Sequence, residues 1–172
     1  FIVGILALIG SCAKKDEDSS TTAATAFTPT TTASGSITVG SATMSGTYAS
    51  DCNDLTGSSA IGNHLPSDVL ANRDVLVVTG SDNVSEEMYL YTDTSCTNLS
   101  GYLKDGNDNF TVGDASGSNY KVTYVEATFK VTAVTSTAES FYESYFSTNN
   151  ITNQGTAVDL VVGTEYSMSS NG

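Results

Sequence analysis

The chain has 172 residues, and its 19 acidic residues outnumber its six basic residues, which gives a formal net charge of −13. A field of that sign repels phosphate backbones and anionic lipid head groups, so the charge excludes nucleic-acid binding. Thr, Ser, Gly and Asn are abundant and Trp is absent, a composition typical of a β-rich extracellular domain.

The chain opens with an apolar run that ends close to a cysteine. Residues 1–9 have the length of a signal-peptide core and are too few to span a bilayer. Residues 9–12 read Ile-Gly-Ser-Cys, the pattern of a bacterial lipoprotein cleavage site. We therefore predict a signal peptide over residues 1–11, truncated at its N-terminus, and a lipid on Cys12 that anchors the mature chain to a membrane. The alternative is that the run forms a core strand or a short buried helix.

A tract rich in Ser, Thr and Ala follows this cysteine. Together with Cys12 it makes up residues 12–35, and its composition predicts a flexible tether. Ala13, rather than Asp, follows the cysteine, which favours the outer membrane of the bacterial envelope. We predict that the folded domain spans residues 36–172.

Two cysteines remain once Cys12 carries lipid. Cys52 and Cys96 form an even pair in an oxidising compartment, which predicts a disulfide between them. A bridge across so long a loop would stabilise the domain by about 4 kcal/mol on the chain-entropy model. The alternatives are a two-cysteine metal site, for which a single histidine offers too few partners, and two free thiols.

Alternating and apolar runs predict short strands through the first two-thirds of the domain. These runs cover residues 36–40, 43–49, 74–79, 86–92, 99–103 and 109–112. The run at 74–79 is apolar almost without interruption, so we expect it to be buried on both faces. Asp105-Gly106 lies between the last two runs and predicts a tight hairpin turn.

Residues 119–135 form the longest predicted strand. Its alternation changes phase at Tyr124-Val125, which predicts a β-bulge that would bend the strand. A second strand pair is predicted at the end of the chain, over residues 157–162 and 164–168.

One helix is predicted between these regions. The segment from Ser136 to Glu139 matches a capping box, which would start the helix, and Asn149 would end it. The helical spacing gathers one apolar stripe that must cover an apolar surface: Ala138, Phe141, Tyr142, Tyr145 and Phe146.

The predicted elements sum to a mainly β fold. Short strands with regular turns favour a single antiparallel up-and-down β-barrel over a parallel α/β fold. A helix near the C-terminus, packed on a closed meander, makes that barrel lipocalin-like. A β-sandwich is the alternative.

Four sequence segments resemble a group of small bacterial lipoproteins with a lipocalin-like β-barrel. The group shares a Gly-Thr-aromatic strand before a cysteine, a Tyr-x-Asp-x-x-Cys turn and a Gly-Thr-Tyr strand. The matching segments here are residues 46–48 with Cys52, residues 91–96, residues 101–103 and residues 120–124. Residues 101–103 read Gly-Tyr-Leu instead of Gly-Thr-Tyr, and a late cysteine and tryptophan are absent. The resemblance implies the fold and the lipid anchor, and it implies no activity.

Candidate catalytic residues are few. His64 is the only histidine, and no Gly-x-Ser-x-Gly motif supplies a nucleophile for it. We therefore interpret His64 as an exposed loop residue and predict a chain that is not an enzyme and carries no cofactor.

One acidic segment has the spacing that begins an EF-hand. Asp105, Asn107 and Asn109 stand at the right intervals, but Phe110 occupies the position that needs Gly. The sequence thus predicts no EF-hand and no metal site. A weak surface calcium site on Asp105, Asp108 and Asp114 is the alternative to a solvated hairpin tip.

The tyrosines are the candidate ligand-lining residues. Tyr89 and Tyr91 alternate with Met88, so they face either the exterior or a barrel interior, depending on which face is the core. With Tyr120 and Tyr124 they would line an interior that suits a small amphipathic ligand, whereas ordinary core packing is the alternative.

These features predict a membrane-anchored, non-enzymatic envelope lipoprotein that binds a small hydrophobic ligand in a barrel cavity. The alternative is a structural or surface-interaction β-sandwich that contacts protein or polysaccharide. The first requires an apolar cavity of several hundred Å³, and the second requires a filled core with an exposed apolar or aromatic patch.

Overall fold

A computed structural model describes residues 28–57, 64–117 and 119–170. The predicted signal peptide, the predicted lipidation at Cys12 and most of the predicted tether lie outside the described residues. The fold is mainly β with a single helix in the described ranges, and every strand pair in it is antiparallel, as predicted.

The elements follow one another as ten strands with one helix among the last of them. They are β1 (Ile37–Val39), β2 (Ala42–Met44), β3 (Thr47–Ala49), β4 (Asn53–Asp54), β5 (Ala71–Val78), β6 (Val84–Tyr91), β7 (Leu99–Ser116), β8 (Asn119–Ala133), α1 (Ser136–Thr148), β9 (Ile151–Thr152) and β10 (Glu165–Ser170).

Eight strands make one sheet in the order β3-β5-β6-β7-β8-β10-β9, with β4 also paired to β5. β1 and β2 form a separate hairpin. Across the parts of the chain that the structure describes, no ladder joins the two ends of the sheet. The antiparallel β fold is therefore confirmed, while closure into a barrel stays a prediction.

The predicted turn at Asp105-Gly106 is wrong. β7 runs through both residues without a break, because β6 pairs with it on one side and β8 pairs with it on the other. Gly106 serves close packing instead, since a Cβ there would lie 2.3 Å from Thr128 Oγ1. The chain turns at Gly117, whose φ of +65° suits glycine.

Irregular pairing between β7 and β8 agrees with the predicted bulge. The register shifts opposite Ala127 and again opposite Tyr124, where Asp108 pairs with Val125 and Thr111 pairs with Thr123. The extra residue of β8 is therefore Ala127, two residues beyond the predicted position, whereas opposite Tyr124 the extra residue belongs to β7.

The helix begins one residue earlier than the capping box predicts. Thr135 is the N-cap, and its hydroxyl accepts a hydrogen bond from the Ala138 amide at 3.1 Å. Of the predicted apolar stripe, Ala138, Tyr142 and Phe146 are buried, whereas the other two aromatic residues are only partly covered. Of the two predicted final strands, only the later one forms, as β10. Residues 157–162 are irregular chain, because Leu160 is buried in the cluster under α1 and its amide donates to the Glu143 carboxylate instead of to a strand.

Both faces of the central strands are buried, as expected for the apolar run at 74–79. The face that carries Leu90 and Val131 lies under α1, and we call it the helix face. The opposite face carries Tyr89, Tyr91 and Val75, and we call it the disulfide face because both bridged cysteines pack there.

Candidate functional site

The predicted disulfide is confirmed. Cys52 and Cys96 are joined with an S–S distance of 2.03 Å, and both pack beside the apolar residues of the disulfide face. Cys96 sits in a tight turn with a φ of +54°. The carboxylate of Asp93 shapes this turn, and hydrogen bonds from Ser95 and the amides that follow hold the pKa of Asp93 below its usual range.

Tyr89 is part of a buried polar network on the disulfide face. The residue is 2% exposed, and its hydroxyl donates to the carboxylate of Glu87, which is 3% exposed. The hydroxyl also accepts from the Thr30 amide at 2.8 Å. Burial raises the pKa of Tyr89, so the hydroxyl keeps its proton and serves as the donor.

Residues 30–34 therefore cross the disulfide face as a strap. Thr30 is bonded to Tyr89, Ala33 packs in the apolar cluster, and the Ser34 amide donates to the Val78 carbonyl at 2.8 Å. Tyr89 joins this strap to the sheet, a role for which neighbouring sequence gives no signal.

The structure does not bring the four candidate tyrosines together. Tyr89 and Tyr91 are packed on the disulfide face, whereas Tyr124 stacks on Phe110 on the helix face, with ring centroids 6.3 Å apart. Tyr120 is 42% exposed near the β1–β2 hairpin. A single cavity lined by all four tyrosines would therefore have to reach both faces of the sheet.

Three carboxylates lie on the helix face, between the apolar cluster under α1 and the one under β1 and β2. Glu86 pairs with Asp105 across β6 and β7, and Glu126 follows on β8. Burial, together with the charges of Glu126 and Glu86, raises the pKa of Asp105 to about 6. Even so, no three His, Cys, Asp or Glu side chains in the described ranges have the arrangement of a metal site.

Two open depressions run along the outer side of α1. One has a volume of about 630 Å³ between the helix and the loop that carries Leu65 and Ser67. The other has a volume of about 240 Å³ and extends to the C-terminal end of the helix. Phe141 and Ser144 line both depressions, and we call the two together the α1 groove.

Hydrogen bonds fix the loop wall of the α1 groove to the helix. Asp68 accepts from the Thr135 hydroxyl at 2.7 Å and from the Ser100 hydroxyl at 2.8 Å. Thr135 is also the helix N-cap, so one hydroxyl both starts α1 and positions the loop. The larger depression thus lies between two elements that hydrogen bonds of Asp68 connect.

One signal for the α1 groove is present in the sequence. Ser136, Ser140, Ser144 and Thr148 recur at intervals of four, which places them on one side of a helix. The aromatic stripe alone predicted a buried surface.

His64 lies exposed beside the loop that forms one wall of the α1 groove, as interpreted from the sequence. No described helix is long and apolar enough to cross a bilayer. Comparison of the sequence with protein-family models and with curated proteins gives no match.

Proposed function

We propose that this chain is a lipid-anchored lipoprotein of the bacterial envelope, in the outer membrane, that acts by binding at its surface and not by catalysis. The α1 groove carries the proposal, because it is an open surface depression with aromatic and polar lining residues, beside a loop that Asp68 connects to the helix.

The Cys52–Cys96 disulfide supports the envelope location. Disulfides persist in oxidising compartments and are rare in the cytosol of mesophiles. The anchor rests on the sequence pattern at residues 9–12, which proposes lipid on Cys12.

The shape we propose for the domain is a lipocalin-like barrel. The three register shifts between β7 and β8 support it, because bulges bend strands as barrels require. An experimental structure in which β3 meets the β9–β10 edge would establish the barrel, and two covered, unpaired edges would establish a sandwich.

A small hydrophobic ligand in the barrel interior stays a prediction. None of the four candidate tyrosines lines the α1 groove, so this hypothesis needs a different cavity. Native mass spectrometry of the purified chain would reveal a bound lipid, and a ligand-free spectrum would contradict the prediction.

The anchor is tested by labelling bacterial cells that produce the chain with an alkyne analogue of palmitate. We expect the label on the wild-type chain and on Cys52→Ser, but not on Cys12→Ser, which should leave the membrane fraction. Label retained by Cys12→Ser would contradict the anchor.

The groove is tested with a photo-reactive benzoylphenylalanine at Ser140 and, as a control, at Ser147, which is exposed on the same helix outside the groove. Illumination of whole cells should give a discrete adduct from position 140 alone. Equal adducts at both positions, or none at 140, would contradict binding through the groove.

A further inference from the structure

A buried amide oxygen on the helix face has no hydrogen-bond partner among the described residues. It is Oδ1 of Asn107 on β7, a residue that is 2% exposed. Such an acceptor gives up its hydrogen bonds to water on folding and receives none in exchange. Buried polar groups are nearly always satisfied in folded proteins, so this oxygen calls for a partner from outside the chain.

Three carboxylates lie around this oxygen on the same face. Asn107 is directly opposite Glu126 of β8, and Asp105 precedes it by two residues on β7, which places both β7 side chains on one face. Glu86 of β6 is directly opposite Asp105. Directly paired residues have Cβ atoms about 4.5–5.5 Å apart, so three strands bring four oxygen-bearing side chains together. We call these four residues the oxygen cluster.

The negative charge of the oxygen cluster is not neutralised within the described ranges. Both ion pairs there belong to Glu165, and the three carboxylates of the cluster take part in no hydrogen bond or ion pair. Burial, followed by the charges of Glu126 and Glu86, raises the pKa of Asp105, so the three groups are close enough to repel one another. A bound cation would relieve this repulsion.

The donor atoms of the oxygen cluster suit calcium. All of them are oxygens, whereas zinc and copper favour histidine and cysteine. Ca²⁺ accepts carboxylate and amide oxygens in irregular arrangements completed by water, and Mg²⁺ demands a near-ideal octahedron. No three carboxylates in the described part of the chain have the arrangement of a metal site, so the amide oxygen of Asn107 has to be one of the ligands.

We propose that Asp105, Asn107 and Glu126 bind a calcium ion on the helix face, with Glu86 adding negative charge from β6. The ion would connect β7 to β8 beside the register shift that follows Gly106, where the ladder itself is interrupted. This proposal departs from the expectation of no metal site, because the ligands lie on separate strands and form no sequence motif.

The first test is a calorimetric titration of the full chain in detergent with calcium chloride, after removal of metals with EDTA. We expect one saturable site with a dissociation constant on the order of 0.1–1 mM, the range of extracellular calcium modules. Asn107→Leu has a similar size but no side-chain oxygen and should weaken binding at least about tenfold. Asp114→Asn removes an exposed carboxylate of the same strand and should bind as the wild type does.

Thermal melts separate a loss of binding from a loss of folding. Asn107→Leu removes a buried oxygen without a partner, so its melting temperature in EDTA should not fall below that of the wild type. Calcium should raise the melting temperature of the wild type and of Asp114→Asn, but not that of Asn107→Leu. Glu126→Gln changes an exposed side chain and should likewise keep its melting temperature in EDTA while losing calcium affinity.

Terbium luminescence excited through tyrosine locates the ion. Burial and the charges of all three carboxylates raise the pKa of Tyr124, so its ring lies near the oxygen cluster and should transfer energy to a bound Tb³⁺. Tyr124→Phe should remove most of the emission, and Tyr145→Phe on α1 should keep it. Equal emission from these two variants, unchanged calcium binding by Asn107→Leu, an equal loss in Asp114→Asn, or no saturable binding by the wild type would each overturn the proposal.

Discussion

The two faces of the central sheet are buried to a similar degree but are closed in different ways. The helix face is covered by the amphipathic α1 and, at its other end, by the β1–β2 hairpin. Tyr142 and Phe146 of α1 pack in its core as ordinary apolar contacts. The disulfide face is covered by a thin strap, a covalent bridge and a buried Glu87–Tyr89 network.

The comparison shows two ways in which a face of a sheet can be covered and kept from water. A helix supplies enough apolar area to bury a face by the hydrophobic effect alone. An irregular strap of a few residues does not, so specific polar contacts and a cross-link make up for it. Removing a single side chain or bond should therefore lower the free energy of unfolding by different amounts on the two faces.

The largest effect should follow Phe146→Ala on the helix face. Phe146 is 2% exposed and packs on Phe129 and Tyr142, so its truncation leaves a cavity that costs about 3–5 kcal/mol of unfolding free energy. Urea denaturation measures it. Phe141→Ala, on the outer side of the same helix, should cost much less, and equal losses would contradict this account of α1.

Removal of the disulfide should have the second-largest effect on the free energy of unfolding. The bridge closes a loop with a sequence separation of 44 residues, so Cys52→Ala with Cys96→Ala should lower the free energy of unfolding by about 2–4 kcal/mol. Reduction of the wild-type chain with dithiothreitol should reproduce the loss in thermal melts. An unchanged melting temperature would mean that the bridge does not help to close this face.

Tyr89→Phe should remove the hydroxyl that connects the strap to the sheet. It leaves the buried Glu87 carboxylate and the Thr30 amide without a shared partner, at a cost of about 2 kcal/mol. Hydrogen exchange should accelerate at Thr30 and Ser34. Tyr102→Phe is the control, since the Tyr102 hydroxyl has no hydrogen bond to any described residue. Faster exchange in both variants would contradict the role of the Tyr89 hydroxyl in holding the strap.

The smallest effect concerns Asp105 on the helix face, and it should be stabilising. Its pKa is about 6 in the folded chain against 3.8 as its ordinary value, so the folded state binds the proton more tightly. The free energy of unfolding should therefore rise as pH falls from 7 towards 4, because the charged form is the disfavoured one.

Asp105→Asn should raise the free energy of unfolding by about 1 kcal/mol at pH 7.5, allowing for solvent screening, and by little at pH 4. Asp114→Asn removes an exposed carboxylate from the same strand and is the control. A stabilisation by Asp105→Asn that is the same at both pH values would rule out the titration as its cause.

The sequence predicted those parts of the fold that depend on the residues of one short segment or on residue type alone. The apolar run at 74–79, the phase change at Tyr124-Val125 and the pairing of Cys52 with Cys96 each carry their own pattern. Capping chemistry located α1 to within one residue, because Thr135 and Ser136 are both good caps and tertiary contact with Asp68 favours the first.

The failures arose where distant pairing overrides a local preference. Asp105-Gly106 is a strong turn signal, yet β6 and β8 hold it as strand on both sides. The strap and the α1 groove depend on contacts such as Thr30 with Tyr89 and Thr135 with Asp68, which are separated by 59 and 67 residues. No short window of sequence carries that information.

The strap also fixes where mechanical force would enter the domain. Tension transmitted along the chain from residue 27 reaches Thr30 and its bond to Tyr89 first, then the Ser34–Val78 bond, before any strand is loaded. These bonds stand in series along the chain, so the strap would take up a pull before the sheet and its disulfide do.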